Sequence, residues 1–331
     1  MTTSAILHRK LGATGPNVFP ISLGCMGMSG IYGPSDDAES LATIHAAIDA
    51  GVNLIDTGDF YGMGHNEMLI ARALHFQREQ VLLSVKFGAQ RTPSGAWLGF
   101  DARPAAVKPA LAYSLKRLGV DYIDIYRPAR LDPAVPIEDT IGAIAQMVKA
   151  GYVRHIGLSE VGPETIRRAA AVHPIVDLQI EYALISRSPE ARIFPVLEEL
   201  GIAATTYGTL SRGLLSGSRP AHPTDLRAHL PRFKDGNLDH NLTLAEKLKE
   251  LAAAKGVTPT QLAIAWSLAK HNFIVPVVGA RTRTQLAESL GALPVHLTAA
   301  EIAELEAAVP AESAAGTRYD AIQMKNLDSE K

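Results

Sequence analysis

The chain alternates between amphipathic stretches of helical period and short apolar runs rich in β-branched residues. At four places an amphipathic stretch ends at a glycine and an apolar run follows at once; these glycines are Gly51, Gly119, Gly151 and Gly201. Glycine accommodates the left-handed backbone that commonly follows a helix. The pattern is therefore typical of the helix-to-strand half of a repeated βα unit.

Eight apolar runs are candidate strands, and helical patterns separate them. They lie near residues 21–26, 53–58, 81–87, 122–128, 153–158, 177–182, 203–207 and 273–279. Helix starts are marked by capping residues or a first-turn proline, at Asp36, Ser188, Thr258 and Thr298. Eight alternating units without a break in composition favour a closed (β/α)8 TIM barrel over an open, doubly wound sheet.

The remaining segments suggest how such a barrel is finished. We predict a single domain over residues 1–331, with a hairpin within residues 5–20 that plugs the barrel bottom. Long loops are expected at the C-terminal face, foremost residues 211–240, which are rich in Pro, Gly, Arg and His. The last dozen residues are polar, and we expect them to be mobile.

Composition narrows the class of function. The chain is 47% hydrophobic and 20% charged, with a formal net charge of -2 and a pI near 6.6. These values argue against a nucleic-acid or acidic-membrane partner. Residues 1–10 lack a signal-peptide pattern, and no run is long enough to span a membrane. Cys25 is the sole cysteine, so no intrachain disulfide or four-cysteine zinc site can form. We predict a cytoplasmic protein, monomeric or homo-oligomeric, with a small-molecule partner and no metal.

Ionisable residues stand where two neighbouring strands end. Asp56 and Tyr61 lie at and just after the end of the second strand, and Lys86 lies near the end of the third. Reactive groups of a barrel gather at this rim. An adjacent ammonium would lower the pKa of a tyrosine and an aspartate would hold the lysine, which is a design for proton donation. Alternatively, Tyr61 only closes the rim and Lys86 and Asp56 form a structural bridge.

Six segments in order along the chain carry a resemblance to a known family. They are residues 24–28 (GCMGM), 56–62 (DTGDFYG), 121–126 (DYIDIY), 157–160 (GLSE), 179–182 (QIEY) and 279–281 (GAR). With these segments the chain resembles the aldo-keto reductases from about residue 8 to 320. The resemblance implies catalytic roles for Tyr61, Lys86 and Asp56, and hydride transfer from the nicotinamide of NADPH.

One residue departs from the family pattern. The fourth strand of relatives ends in Leu-His-Arg-x-Asp-Pro, whereas residues 128–133 read PARLDP, so Ala129 stands at the histidine position. Loss of the imidazole removes a donor to the substrate carbonyl and enlarges the pocket. Either a bulkier substrate is admitted or carbonyl chemistry is impaired. Arg127 either replaces the imidazole in part or is a buried residue paired with an acid such as Glu181, and His65 is a weaker substitute.

The resemblance also assigns part of the cofactor site. Ser159 and Gln179 would bind the nicotinamide carboxamide, and Tyr207 would stack on the ring. Arg281 follows the eighth strand at a helix start, where free N–H groups and a guanidinium suit the 2′-phosphate of NADP. The other predicted cofactor residues are Gly24, Met26, Gly208, Leu210, Gly279, Gln285 and Glu288. The predicted substrate pocket is formed by Tyr32, Phe60, Trp97 and Ala129.

These observations predict NADPH-dependent reduction of aldehydes or ketones to alcohols. Two alternatives stay open. One is a nicotinamide-binding regulatory module with slow turnover, resembling the barrel subunits of potassium channels. The other is an NADP-dependent alcohol dehydrogenase that uses the same residues in the oxidative direction. A nucleophile elbow, a Gly-rich Rossmann fingerprint and metal-binding histidine spacing are all missing from the sequence.

Overall fold

The computed structural model describes residues 8–331 and contains a closed eight-stranded barrel. The strands are β1 (Arg9–Lys10), β2 (Asn17–Val18), β3 (Ser22–Gly24), β4 (Leu54–Gly58), β5 (Leu82–Phe87), β6 (Ala89–Arg91), β7 (Trp97–Phe100), β8 (Ile123–Pro128), β9 (Val153–Ser159), β10 (Ile175–Glu181), β11 (Ala203–Tyr207) and β12 (Ile274–Gly279). Eight of them pair in parallel in the order β3-β4-β5-β8-β9-β10-β11-β12, and β12 pairs with β3. The predicted TIM barrel is confirmed, and no predicted strand boundary is off by more than two residues.

Helices connect the barrel strands and pack around them. They are α1 (Asp37–Asp49), α2 (His65–Ala73), α3 (Pro104–Leu118), α4 (Ile137–Lys149), α5 (Pro163–Val172), α6 (Pro189–Arg192), α7 (Phe194–Leu200), α8 (Asn237–Lys255), α9 (Pro259–Lys270), α10 (Arg283–Leu290), α11 (Ala299–Ala308) and α12 (Ala321–Lys325). Among the described residues, none of these helices is both long and apolar enough to cross a membrane.

Local signals placed the helix ends correctly. Gly51, Gly119, Gly151 and Gly201 all have positive φ, between 64° and 93°. The capping boxes that begin at Thr258 and Thr298 are complete, and the side chain of Asp36 accepts from two backbone N–H groups of α1. Ser188 makes no such bond, although Pro189 begins α6 as predicted.

The hairpin β1–β2 closes the bottom of the barrel. Leu11 and Val18 are fully buried against residues at the beginnings of the barrel strands, including Leu54 and Val275. The guanidinium of Arg9 donates to the carbonyl oxygens of Leu268 (2.6 Å) and His271 (3.0 Å) just before β12. The predicted plug is therefore confirmed for residues 8–20, while residues 5–7 lie outside the described part of the chain.

Three segments cover the C-terminal ends of the strands. They are the hairpin β6–β7, the loop over residues 211–240 and the tail after Pro310. The mobility expected for the last dozen residues stays a prediction, but the structure places the tail in contact with the barrel. Arg318 is only 6% exposed, and the carboxylate of Asp328 accepts from the backbone N–H of Gly162 (2.8 Å). Leu327, at 2% exposure, adds an apolar contact to these polar ones.

Candidate active site

Asp56 is the centre of a hydrogen-bond network inside the rim. Its Oδ1 lies 2.5 Å from Nζ of Lys86, and its Oδ2 accepts from Oγ of Ser84 (2.9 Å) and Nε2 of Gln179 (2.8 Å). Asp56 and Lys86 are 4% and 3% exposed. Since Gln179 lies on β10, the network connects opposite sides of the barrel mouth. Asp56 therefore fixes the position of both Lys86 and Gln179.

Tyr61 lies on a short turn immediately after β4. Lys86 Nζ is 5.2 Å from the centre of its ring, and Phe60 packs edge-on at 4.8 Å. Burial, and then the negative charge of Asp56, raise the pKa of Tyr61 well above 10. The positive charge of Arg130 opposes this rise, but burial outweighs it, so the net shift is upward and not downward as expected from the sequence. The phenol therefore keeps its proton at neutral pH.

Arg127 is held inside the barrel by buried polar contacts. Its guanidinium donates to Oδ2 of Asp177 (2.7 Å) and to Oγ of Ser84 (2.9 Å), and both members of the ion pair are fully buried. The predicted pairing with a buried acid is right, but the partner is Asp177 rather than Glu181. Gly157 leaves the necessary room, since a Cβ there would lie 2.5 Å from Oδ1 of Asp177.

No imidazole takes the place of the missing histidine among the contacts of the described residues. Ala129 is 2% exposed, and its backbone N–H donates to the carbonyl of Phe87 (2.8 Å). Nδ1 of His65 lies 2.9 Å from Oγ of Ser29 and its Nε2 lies 3.2 Å from Asp37, so His65 is held against α1.

Arg130 is a residue of the rim that sequence reasoning missed. It donates to the carbonyl of Ala129 (2.7 Å), to Oγ of Ser159 (3.2 Å) and to the hydroxyls of Tyr319 (3.3 Å) and Tyr207 (3.5 Å). The one sequence signal that could have identified Arg130 is its position directly after Ala129 in the PARLDP segment. Two of its neighbours, Ser159 and Tyr207, were themselves predicted cofactor residues.

Glu160 is a second missed residue. It is fully buried, has a left-handed backbone with φ 53°, and accepts from both terminal nitrogens of Arg318 (3.1 and 3.0 Å) and from the hydroxyl of Tyr207 (2.8 Å). Burial disfavours its charge, but the adjacent Arg318 outweighs burial and holds the pKa of Glu160 well below its usual range. Left-handed backbone at a non-glycine residue is costly and concentrates at functional sites.

Glu181 lies beside Glu160 and completes what we call the rim cluster. Its carboxylate forms ion pairs with Arg212 (3.1 Å), Arg318 (3.4 Å) and Arg232 (3.5 Å). The rim cluster is defined as Arg130, Glu160, Glu181, Arg212, Arg232, Arg318 and Glu330. It connects the loop after β11 and the tail to the ends of β9 and β10.

The predicted nicotinamide residues lie together at the ends of adjacent strands. Ser159 on β9 is in register with Gln179 on β10, and Tyr207 ends β11. The amide nitrogen of Gln179 donates to Asp56, which leaves its oxygen as an acceptor. These groups fit a carboxamide and an aromatic ring.

The loop after β11 fits a phosphate group. Residues 208–211 begin this loop and include Gly208 and Leu210, two of the predicted cofactor residues. The buried hydroxyls of Thr209 and Ser211 have no hydrogen-bond partner within residues 8–331. These two hydroxyls are free to donate to a bound anion. Ser211 has a left-handed backbone with φ 48°.

The predicted adenosine side is built on β3, β12 and the start of α10. Gly24 and Gly279 are paired in register, and Met26 begins a short 3₁₀ helix after β3. The backbone N–H of Arg281 donates to Oε1 of Gln285 (2.9 Å). Glu288 lies one turn further along α10 and is partly buried.

Arg281 and Arg283 differ in their partners. The guanidinium of Arg281 contacts only the carbonyl oxygens of Tyr32 (3.3 Å) and Pro34 (3.4 Å), and within the described chain it forms no ion pair. Arg283 is paired with Glu39 at 2.9 Å. Arg281 can therefore bind a phosphate group without breaking an existing ion pair, whereas Arg283 would first have to release Glu39.

The remaining pocket residues lie on the covering segments. Tyr32 forms a β-bridge to Asp225, which joins the loop after β3 to residues 211–240, and Arg227 lies 5.5 Å from the centre of its ring. Trp97 on β7 is 44% exposed and packs against Phe100 at 4.8 Å. No contact joins Trp97 to Tyr61 in the structure, so its place in the pocket stays a prediction.

Comparison with known proteins identifies relatives along most of the chain. A sequence profile described as "Aldo/keto reductase family" matches residues 20–310. The "Probable aldo-keto reductase 1" of Glycine max is 39% identical over 327 residues, covering 96% of this chain and 93% of that protein. A glycerol dehydrogenase from Gluconobacter oxydans superposes with a TM-score of 0.83 at 27% identity, over 93% of this chain and 97% of that one. An aldo-keto reductase from Bacillus halodurans, in its holo form, gives 0.77 at 28% identity, over 92% and 97%.

Proposed function

The chain belongs to the aldo/keto reductase family, and we propose that it reduces aldehydes or ketones to alcohols with NADPH, using Tyr61 as the proton donor. Members of this family are oxidoreductases that reduce carbonyl groups. The observation that carries the proposal is the arrangement of Tyr61, Lys86 and Asp56 at the ends of adjacent strands, with Lys86 Nζ 5.2 Å from the phenol ring.

In this mechanism Tyr61 donates its proton to the carbonyl oxygen. NADPH held at this site would supply the hydride for the carbonyl carbon. The raised pKa of Tyr61 keeps the phenol protonated until negative charge develops on the substrate oxygen. Lys86 stabilises the phenolate that remains, and Asp56 keeps Lys86 oriented toward the ring.

The cofactor would be held along the ends of β9 to β12. Ser159 and Gln179 would bind the carboxamide, and Tyr207 would support the ring. The unpartnered hydroxyls of Thr209 and Ser211 would donate to phosphate oxygens. Arg281, which has no carboxylate partner among the described residues, would bind the 2′-phosphate and select NADP over NAD.

Alcohol oxidation is the second candidate, since a structural relative is a glycerol dehydrogenase. The same residues would act in reverse, with Tyr61 accepting the proton. The raised pKa of Tyr61 opposes formation of the phenolate base at neutral pH. Oxidation would therefore be favoured only at alkaline pH.

The test is a panel of aldehydes and ketones with NADPH, paired with the corresponding alcohols and NADP⁺, at neutral and alkaline pH. We expect NADPH consumption with formation of the alcohol to be faster at neutral pH than the reverse reaction. No turnover of any carbonyl despite tight NADPH binding would refute the reductase proposal and favour a regulatory module. Faster alcohol oxidation at neutral pH would favour the dehydrogenase.

A further inference from the structure

Arg130 is a partly buried arginine with an unusual set of partners. All four of its hydrogen bonds end on uncharged oxygens, namely one backbone carbonyl and three side-chain hydroxyls. Within residues 8–331 it takes part in no ion pair. Burial disfavours the charge of Arg130, but the neighbouring Tyr207, Tyr319 and Glu160 raise its pKa overall, so the guanidinium stays positively charged. Because no carboxylate of the described residues contacts it, Arg130 is available to bind an anion directly.

The other arginines of the rim cluster do have carboxylate partners. Arg212 and Arg232 pair with Glu181, and Arg318 pairs with Glu160, Glu181 and Glu330. The cluster thus contains four arginines and three glutamates. One positive charge is left over, and the hydrogen-bond pattern assigns it to Arg130.

Arg130 shares the mouth of the barrel with the proposed proton donor. Its partner Ser159 is in register with Gln179, and the amide of Gln179 donates to Asp56, the carboxylate that holds Lys86. The positive charge of Arg130 also opposes the rise in the pKa of Tyr61 that burial and Asp56 cause. The methyl group of Ala129, adjacent in the chain, leaves room where relatives carry an imidazole. An anion bound to Arg130 would therefore lie near the carbonyl that Tyr61 protonates.

The cofactor does not supply this anion in the proposed arrangement. Its phosphates would lie on the loops after β11 and β12, at Thr209, Ser211 and Arg281. Arg130 instead contacts Ser159 and Tyr207, the residues assigned to the uncharged nicotinamide carboxamide and ring. The anion must then come from the substrate.

We propose that Arg130 binds a carboxylate of the substrate, so that the preferred substrates are carbonyl compounds that carry a carboxylate close to the reacting carbonyl. This inference rests on the proposed reductase function. The planar guanidinium offers parallel N–H groups that match the two oxygens of a carboxylate. A bound carboxylate would also orient the carbonyl toward Tyr61, which the missing histidine can no longer do.

The test compares the three carboxybenzaldehyde isomers with their methyl esters and with benzaldehyde, using NADPH and the wild-type protein, Arg130→Met and Arg130→Lys. Each ester matches its acid in shape but lacks the charge. We expect the wild type to favour at least one acid over its ester by about 10- to 100-fold in kcat/KM, mainly through KM. Arg130→Met should remove that preference, because it should lower kcat/KM for the acids by a larger factor than for the esters, and Arg130→Lys should retain part of the preference.

Thermal unfolding and NADPH titration check that each variant is folded and binds cofactor. If Arg130→Met does not fold, the wild-type comparison of acids with esters decides. A wild type that reduces each acid no better than its ester overturns the inference but leaves the reductase function standing. Equal losses for acids and esters in Arg130→Met would also overturn it, since they would indicate a structural role. Reduction of none of the carbonyls would refute the function itself.

Discussion

The guanidinium of Arg127 and the carboxylate of Asp177 form a fully buried ion pair across the barrel interior, with Nη1 and Oδ2 2.7 Å apart. Gly157 lies against both side chains. Arg127 is thereby committed to the interior, and it reaches the active site only indirectly, through Ser84, which donates to Asp56. We infer that Arg127 supports the barrel rather than the substrate.

Arg127→Met should be strongly destabilising. It leaves Asp177 as a buried charge without its cation, which costs about 3 to 5 kcal/mol of unfolding free energy. Arg127→Met/Asp177→Asn removes both charges and should recover most of that loss, with kcat within about tenfold of the wild type. Urea unfolding and steady-state kinetics measure the two quantities. A stable double variant with kcat reduced far beyond tenfold would instead assign Arg127 to catalysis.

Arg281→Ala should weaken NADPH binding by about 10- to 100-fold and leave NADH binding nearly unchanged, because a guanidinium–phosphate contact is a charge-assisted hydrogen bond. Arg283→Ala is the matched control, since Arg283 is already paired with Glu39 on the surface. It should change neither affinity by more than about threefold. Equal affinity of the wild type for NADPH and NADH would contradict this assignment.

Asp59 should make stability depend on pH. Burial, and then the nearby Glu67, raise the pKa of Asp59 to about 7, although Arg117 opposes the rise. Because the folded state retains this proton to higher pH than the unfolded chain, the free energy of unfolding falls as pH rises from about 4 to about 7. The full effect is up to about 4 kcal/mol, and it is constant above that range.

Asp59→Asn removes this titration and should therefore be more stable relative to the wild type at about pH 8 than at about pH 5. Thermal unfolding at both pH values measures the difference. Asp49→Asn, which changes an exposed aspartate on α1, is the control and should show no such trend. If Asp59→Asn and the wild type lose stability in parallel between the two pH values, Asp59 is not the group responsible.

The sequence was sufficient for the barrel and for the core of the candidate site because both depend on local signals. Glycines after helices and apolar runs mark each strand, and Asp56 and Lys86 lie within two adjacent strands. Tyr61 follows the first of these strands by three residues. Neighbouring parallel strands bring their ends together, so proximity of the three groups follows from the fold.

The rim cluster could not be predicted in the same way. Glu160 and its partner Arg318 are 158 residues apart, and nothing in the local pattern of the tail indicates that it docks. The pKa of Tyr61 was also expected to move in the opposite direction. Burial raises this pKa, and the extent of burial depends on the covering loops, whose positions the sequence does not show. Arg130 was passed over because its significance depends on which of its neighbours are charged.

The most direct test of the proposed mechanism is the kcat of Tyr61→Phe with the best carbonyl substrate, beside Tyr113→Phe, the same change at an exposed position on α3. Removing the phenolic proton donor should lower kcat by about 100- to 10,000-fold while NADPH affinity and thermal stability stay near those of the wild type. Tyr113→Phe should leave kcat unchanged. A Tyr61→Phe variant that retains full kcat would contradict the account, because carbonyl reduction would then draw its proton from another group.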